Sequence, residues 1–305
     1  MAQLRRKSRP GSLTERPDYR EAAEARQPRL RGAARPALLT AALAHRVEFT
    51  YTAYTAATLA VLSTSPEQAG ETQRFGQTWA FRRPAQPHGW MYNRAAHFSE
   101  ADLTHLPGLL AYFADARVPA RFEIIHPELP LRLSRALIDA GLVPGTCDAA
   151  YAGDIILNDI PDAGDTGIQI TSVTTRTQVA TLLEVRQAAF HARPVSPEQL
   201  DLHCQRLLRP DQRHPLVWVD GHAAGFASLF IHHRTAYLAL AGTSDAWRGR
   251  GVQQALLQAR LQLAQLQGCD LMVGMTEPGG SSGCNLQRAG LGLVNTRTVW
   301  TRPSG

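Results

Sequence analysis

The stretch from Ala236 to Gly268 constrains the fold of this chain more tightly than any other. It reads AYLALAGT, then SDAWRGRG, then a long amphipathic run. In that run Val252, Ala255, Leu256, Ala259, Leu263 and Leu266 fall on one helical face, Gln254, Gln258, Gln262 and Gln265 fall on the other, and Gly268 closes it. A strand therefore enters a helix over 251–267 through a turn that carries Gly249 and Gly251. Residues without Cβ let several backbone N–H groups converge on a ligand. The helix N-terminus adds unsatisfied donors and the positive end of a dipole. Arg248 and Arg250 add charge-assisted donors. Together these features predict an anion site suited to a phosphate or pyrophosphate. The stretch contains neither G-x-G-x-x-G nor Gly-Lys-Ser/Thr, so it is not a dinucleotide fingerprint or a P-loop. Arg-Gly repeats of RNA-binding type occur in low-complexity sequence, whereas this one is flanked by a strand and an amphipathic helix.

The rest of the chain alternates strand and helix patterns. In the first half, ALLTAALAHRVEFTYTAYTAATLAVL reads as a helix, and QTWAFRR and GWMYNRAAHF read as strands. SEADLTHLPGLLAYFADAR reads as a helix with Ser99 as N-cap, followed by strand ARFEIIHP, helix ELPLRLSRALIDAG and strand TCDAAYAGDI. LNDIPDAGDTG, residues 157–167, is the best linker candidate, with its proline, glycines and aspartates. After it come the strand IQITSVT and a helix with a capping box at Thr175 and Gln178. The apolar face of that helix holds Val179, Leu182, Leu183 and Ala189, with Arg186 as a polar exception. A helix, EQLDLHCQRLL, leads to LVWV, and Asp220-Gly221 then marks a hairpin. CDLMVGM, SSGCNLQRAG and GLVNTRTVWTR end the chain as strand, helix and strand. The order predicts an α/β (α+β) fold, a mixed, mostly antiparallel sheet flanked by helices.

Charge says little about a partner. Residues 1–36 hold ten Lys or Arg against four Asp or Glu, which leaves 22 of each sign in the remainder, so the net charge of +6 resides in the tail. That composition predicts a disordered basic tail. Nucleic acid is not expected as a partner, since Lys7 is the only lysine and the folded body is neutral. No run of about 18 apolar residues predicts a membrane span. The N-terminal segment lacks the apolar centre of a secretory signal, and its four acids argue against a transit peptide, so a cytoplasmic location is expected. Cys147, Cys204, Cys269 and Cys284 form no metal-ligand pattern, and adjacent His232 and His233 on a strand would face opposite ways, so no metal is expected.

Residues 168–302 resemble a GCN5-related N-acetyltransferase (GNAT) domain. The resemblance rests on element order, on Arg248, Gly249, Arg250, Gly251, Val252 and Gln253 in place of the acyl-CoA motif Arg/Gln-x-x-Gly-x-Gly/Ala, and on Asn285 and Gly290 downstream. Gln253 departs from the usual small residue. The first half resembles the degenerate copy found in two-domain acetyltransferases, with acidic SEAD where the anion turn would be. The implied organisation is a tail at 1–36, a degenerate acetyltransferase-like domain at 37–156, a linker at 157–167 and a catalytic domain at 168–305.

The resemblance implies acetyl-CoA as cosubstrate and the amine of a small molecule, less readily a protein amine, as acceptor. Main-chain groups of Ala241, Gly242 and Thr243 would pair with the pantetheine arm, the 248–253 turn would hold the pyrophosphate, and Asn285 would lie near the thioester. The first half is not expected to bind CoA. Many relatives place a Tyr acid four residues before the glycine matched by Gly290; here that position is Leu286. Glu277, at a strand end, is the first candidate for general base, with Asp245, His191, His232 and His233 as alternatives. Cys284 has no placed His partner and reads as an incidental thiol. The competing reading is a non-catalytic CoA-binding sensor or interaction protein.

Overall fold

The computed structural model describes residues 34–36, 40–125, 129–155 and 167–303. Apart from residues 34–36 and Gly167, the expected tail and linker lie outside them. The first half contains β1 (Ala34–Pro36), α1 (Ala41–Leu62), β2 (Glu71–Phe75), β3 (Thr78–Arg82), β4 (Arg94–Ala96), α2 (Leu106–Asp115), β5 (Arg121–Ile125), α3 (Leu131–Asp139) and β6 (Val143–Ile155). The second contains β7 (Ile168–Ser172), α4 (Arg176–Phe190), α5 (Pro197–Leu207), β8 (Gln212–Arg213), β9 (Pro215–Val219), β10 (His222–His232), β11 (Thr235–Thr243), α6 (Val252–Leu266), β12 (Leu271–Thr276), α7 (Ser281–Arg288) and β13 (Gly292–Thr301).

All thirteen strands join one sheet, in the order β2-β3-β4-β5-β13-β6-β12-β11-β10-β9-β7, with β1 and β8 off that path. The order is nearly palindromic, because β2 to β6 of the first half correspond in sequence to β9 to β13 of the second. β4–β5 and β11–β12 are the parallel pairs, and every other ladder is antiparallel. The last strand of each half has crossed over. β6 lies against β12 of the second half, and β13 lies against β5 of the first.

Helices cover both faces. α2 and α3 close a first-half core around Leu109, Phe113, Phe122 and Leu133. α4 packs Val179, Leu182 and Leu183 on Leu216 and Phe226, while α6 packs Val252 and Leu256 on Val217 and Ala227 from the other side. α1 roofs the centre with Val47, Tyr51 and Tyr54 over Ala150, Phe230, Tyr237 and Val273. Its seven alanines favour the helix and its threonines and tyrosines oppose it, so burial adds to a mixed propensity. Thr40 caps it through a bond from the Leu43 N–H at 3.0 Å. None of the described helices is long and apolar enough to cross a membrane.

Two local expectations are corrected. Within GWMYNRAAHF only Arg94–Ala96 is a strand, because Trp90–Tyr92 forms a 3-10 turn. The Ser99 hydroxyl accepts no capping bond, and the helix there opens as a 3-10 segment, Glu100–His105, before α2. Asp102 explains that opening. It is buried and accepts the Gln77 N–H at 2.9 Å and the Thr78 hydroxyl at 2.8 Å, which ties the segment to the β2–β3 hairpin.

Candidate active site

The site begins where β11 and β12 part. Their parallel ladder ends at Leu238 and Gly274, and the strands then diverge towards Thr243 and Glu277. On the β10 side, Leu229 pairs with Leu238 and Ala227 pairs with Ala241. Two residues of β11, Ala239 and Leu240, therefore oppose Ser228 alone. This is a β-bulge, which leaves one residue out of the ladder and re-aims its backbone groups. The bulge lies beside the opening between β11 and β12.

Beyond Thr243 a 3-10 turn, Asp245–Trp247, leads into the Arg-Gly-Arg-Gly turn. Gly249 has φ 75° and Gly251 φ 80°, a region costly for any residue with a Cβ. A Cβ on Gly249 would meet nothing within 4 Å, so the main chain there faces open space. The first N–H groups of α6 point out of the helix without helical partners. Asp245 braces the turn: it pairs with Arg248 at 2.7 Å and lies 3.6 Å from His191 Nε2. The Arg250 guanidinium stands 4.9 Å over Trp247, whose other neighbour is the His222 ring. Arg248 is thus partly neutralised by a carboxylate, whereas Arg250 is held by an aromatic face and keeps its charge for a ligand. These residues fit an acyl-CoA pyrophosphate.

The other cofactor candidates divide. Val252 is buried, so its contribution is restricted to its main chain. Gln253 Nε2 donates to Thr243 Oγ1 at 2.8 Å, and this bond ties the helix start to the strand end. Gly242 has a packing reason for its identity, since a Cβ there would come within 2.9 Å of Ala189 and Phe226. Ala241 packs on the α6 side. Asn285, on α7, accepts from Arg288 at 3.0 Å, and Leu286 packs against Gly274 of β12.

Glu277 is exposed at the end of β12, across the opening from Ala241. Because Thr276 pairs with Ala149, Glu277 comes beside Asp148 of β6. Burial raises the Asp148 carboxyl above its usual range; Glu123 and Glu277 add to the rise, and Arg297 and Arg121 oppose it. His232 and His233 are removed as base candidates. They sit at the far end of the β10–β11 hairpin, roughly 26 Å along the strand from Thr243. His191 stays close to the turn through Asp245.

Asp148 and Tyr151 escaped the sequence reading. Both belong to β6, which only the strand exchange brings to this site. The Tyr151 hydroxyl lies 3.0 Å from the position of a Cβ on Gly283, in the first turn of α7. Below them a buried ion network joins the halves. Arg94 meets Glu123 at 2.5 Å, and Arg297 meets Glu48 at 3.1 Å and Glu123 at 3.2 Å. Tyr51 covers both guanidinia, at 4.0 and 4.6 Å. Burial would raise Glu123, but Arg94, Arg297 and Arg121 outweigh it and hold the carboxyl at about 2.

A parallel strand pair that splays beside a bulge, with a glycine turn and helix N-terminus at its mouth, defines the acyl-CoA N-acyltransferase fold class. Residues 179–280 match the sequence model of the Acetyltransferase (GNAT) family. That segment is similar to the GNAT acetyltransferases, and the fold of the chain is that of solved acetyltransferase structures, one of them a tandem GNAT protein. A GCN5-related N-acetyltransferase from Kribbella flavida superposes with TM-score 0.58 at 18% identity, over 84% of this chain and 96% of that one. A tandem GNAT protein from the clavulanic acid biosynthesis pathway gives 0.56 at 14% identity, over 88% and 99%. A GCN5-related N-acetyltransferase from Sphaerobacter thermophilus gives 0.54 at 17% identity, over 70% and 73%. No curated protein matches the chain.

Proposed function

We propose that this protein is an acetyl-CoA-dependent N-acetyltransferase with one active site, in its second half, acting on the amine of a small molecule. The observation that carries the reading is the turn at 248–253. It is open in front of Gly249, has a free cation at Arg250, and is tied by Gln253 to the bulged strand. The first half offers no such turn, because Asp102 and Glu100 occupy the corresponding connection.

Acetyl-CoA, when bound, supplies the acyl group as a thioester. The bulge N–H of β11 donates to the thioester carbonyl oxygen and stabilises the charge that develops there. Glu277, paired with Asp148, takes a proton from the acceptor ammonium. The freed nitrogen forms a C–N bond to the carbonyl carbon as the C–S bond breaks. The Tyr151 hydroxyl gives its proton to the leaving thiolate, the role Leu286 cannot fill. The exposed Glu277, having passed its first proton to solvent, takes the second proton from the acylated nitrogen. The Tyr151 phenolate recovers a proton from solvent, so one proton is released per turnover.

Calorimetric titration of acetyl-CoA into the full chain tests the reading. One saturable site per chain is expected, and Arg250→Glu should weaken binding at least tenfold, since a cation is replaced by a repelling anion. Thiol release with an amine panel then reports turnover. Unchanged affinity in the variant would remove the turn from the binding site. Binding without turnover on any amine would leave the sensor reading in its place.

A further inference from the structure

One arginine of α4 breaks its helix pattern, and the structure shows where it goes. Arg186 falls on the apolar face with Val179, Leu182 and Leu183, and it lines a cavity of about 30 Å³. Arg206 of α5 lines the same cavity, as do Gln212, His214, Ser228 and Leu240. None of the lining residues carries a carboxylate.

The two cations stand unmatched. Among the described residues neither forms an ion pair, and Arg186 forms no hydrogen bond. Arg206 Nη2 reaches only His203 Nδ1, at 3.2 Å, and its Nε is buried without a partner. His214 is 2% exposed, and its Nδ1 meets Ser228 Oγ at 2.9 Å. Burial, then the nearby Arg206, lowers Arg186 to about 10, so it remains a cation at neutral pH. Burial, then Arg206, holds His214 at about 4, neutral and able to donate one hydrogen bond. Both arginines are half-buried, with the Arg206 Nε fully enclosed, and a cation drawn partly out of water without a counter-charge is destabilising. At the centre of the sheet the same chain meets that cost with Glu48 and Glu123. Here it supplies no carboxylate, which leaves the place of the counter-charge to a ligand.

The cavity also reaches the reaction centre. Leu240 is one of the two bulge residues, and it is 38% exposed. A group held by Arg186 and Arg206 is therefore one side chain away from the strand that holds the acyl carbonyl. The small space between the two guanidinia suits a compact, planar anion such as a carboxylate. A guanidinium fork matches a carboxylate in the same plane.

We propose that this cavity is the anion subsite of the acceptor, and that the amine acetylated here carries a carboxylate gripped by Arg186 and Arg206. The assignment rests on the N-acetyltransferase reading above. The test uses equilibrium binding to the full chain, so that it does not depend on turnover. The probes are the N-acetyl forms of the common amino acids, each against its carboxamide, with acetyl-CoA titrated in parallel. At least one acid should bind tenfold or more tighter than its carboxamide. Arg186→Gln and Arg206→Gln should each bring that ratio to within about twofold while acetyl-CoA affinity is retained. Their melting temperatures should hold or rise, because a half-buried charge without a counter-charge has been removed; a fall in both would mark the arginines as structural and overturn the assignment. Equal binding of acid and carboxamide, or no acid bound by a protein that acetyl-CoA saturates, would overturn the carboxylate pocket and leave the transferase reading intact. Arginine-dependent binding of an acid to a protein that ignores acetyl-CoA would do the reverse.

Discussion

Among single residues, the turn glycines and the exchanged strand behave differently as signals. Gly249, Arg250 and Gly251 are legible in the sequence because their chemistry is local: positive φ, an arginine over an aromatic ring and a helix start lie within four positions. Asp148 and Tyr151 carried no such mark. Each is an ordinary member of the run TCDAAYAGDI, and it reaches the candidate site through a neighbour more than a hundred positions away. Glu277 stands out in the sequence by its strand end, whereas the Asp148 beside it does not. The proposed chemistry makes both β6 side chains matter to the rate. Tyr151→Phe and Asp148→Asn should each lower kcat about a hundredfold while leaving acetyl-CoA affinity within about twofold. Stopped thiol-release assays with a turned-over amine check this, and a kcat within threefold of the parent for both variants would remove β6 from the mechanism.

At the scale of elements, what was legible follows from how local the determinants are. The Thr175–Gln178 capping box and the Asp220-Gly221 turn, with φ 50° and 77°, stand as their sequences predicted. The β11 bulge left no trace in AYLALAGT, since it depends on how many residues β10 sets against it. The Ser99 cap failed because Asp102 found a better use for its carboxylate in the neighbouring hairpin. The position of α6 depends on one glycine that no local pattern singles out. A Cβ on Gly225 of β10 would lie 2.5 Å from Val252 Cγ1 and 3.2 Å from Leu256 Cδ1. Gly225→Ala should therefore lift the start of α6 off the sheet and move the N–H groups that face the pyrophosphate. The expected result is a loss of about 1–3 kcal/mol in stability, together with weaker acetyl-CoA binding, read by denaturant melts and calorimetry. Loss of stability with unchanged affinity would show that the turn is positioned independently of Val252.

For the whole molecule, the strand exchange decides which pieces of the chain can stand alone. The sequence suggested that residues 168–305 form a catalytic domain, and the element order of that segment is complete. In the sheet it is not self-sufficient. β12 borrows β6 as its neighbour along six paired positions, and β13 spends its length between β5 and β6. The core over β12 is roofed by Val47, Tyr51 and Tyr54 of α1, also from the first half. A fragment of 168–305 would present β12 as an unpaired, apolar edge, the type of surface that drives aggregation, and would strand Arg297 without Glu48 and Glu123. Breaking a buried pair by removing its partner costs on the order of 3–5 kcal/mol, a large share of a domain's stability. The fragment alone should show no cooperative melt and no acetyl-CoA binding. Supplying residues 34–156 as a separate chain should restore both, because the exchanged strands need no covalent link to pair. A monomeric 168–305 fragment that melts cooperatively and binds acetyl-CoA would show instead that the first half contributes the acceptor side alone.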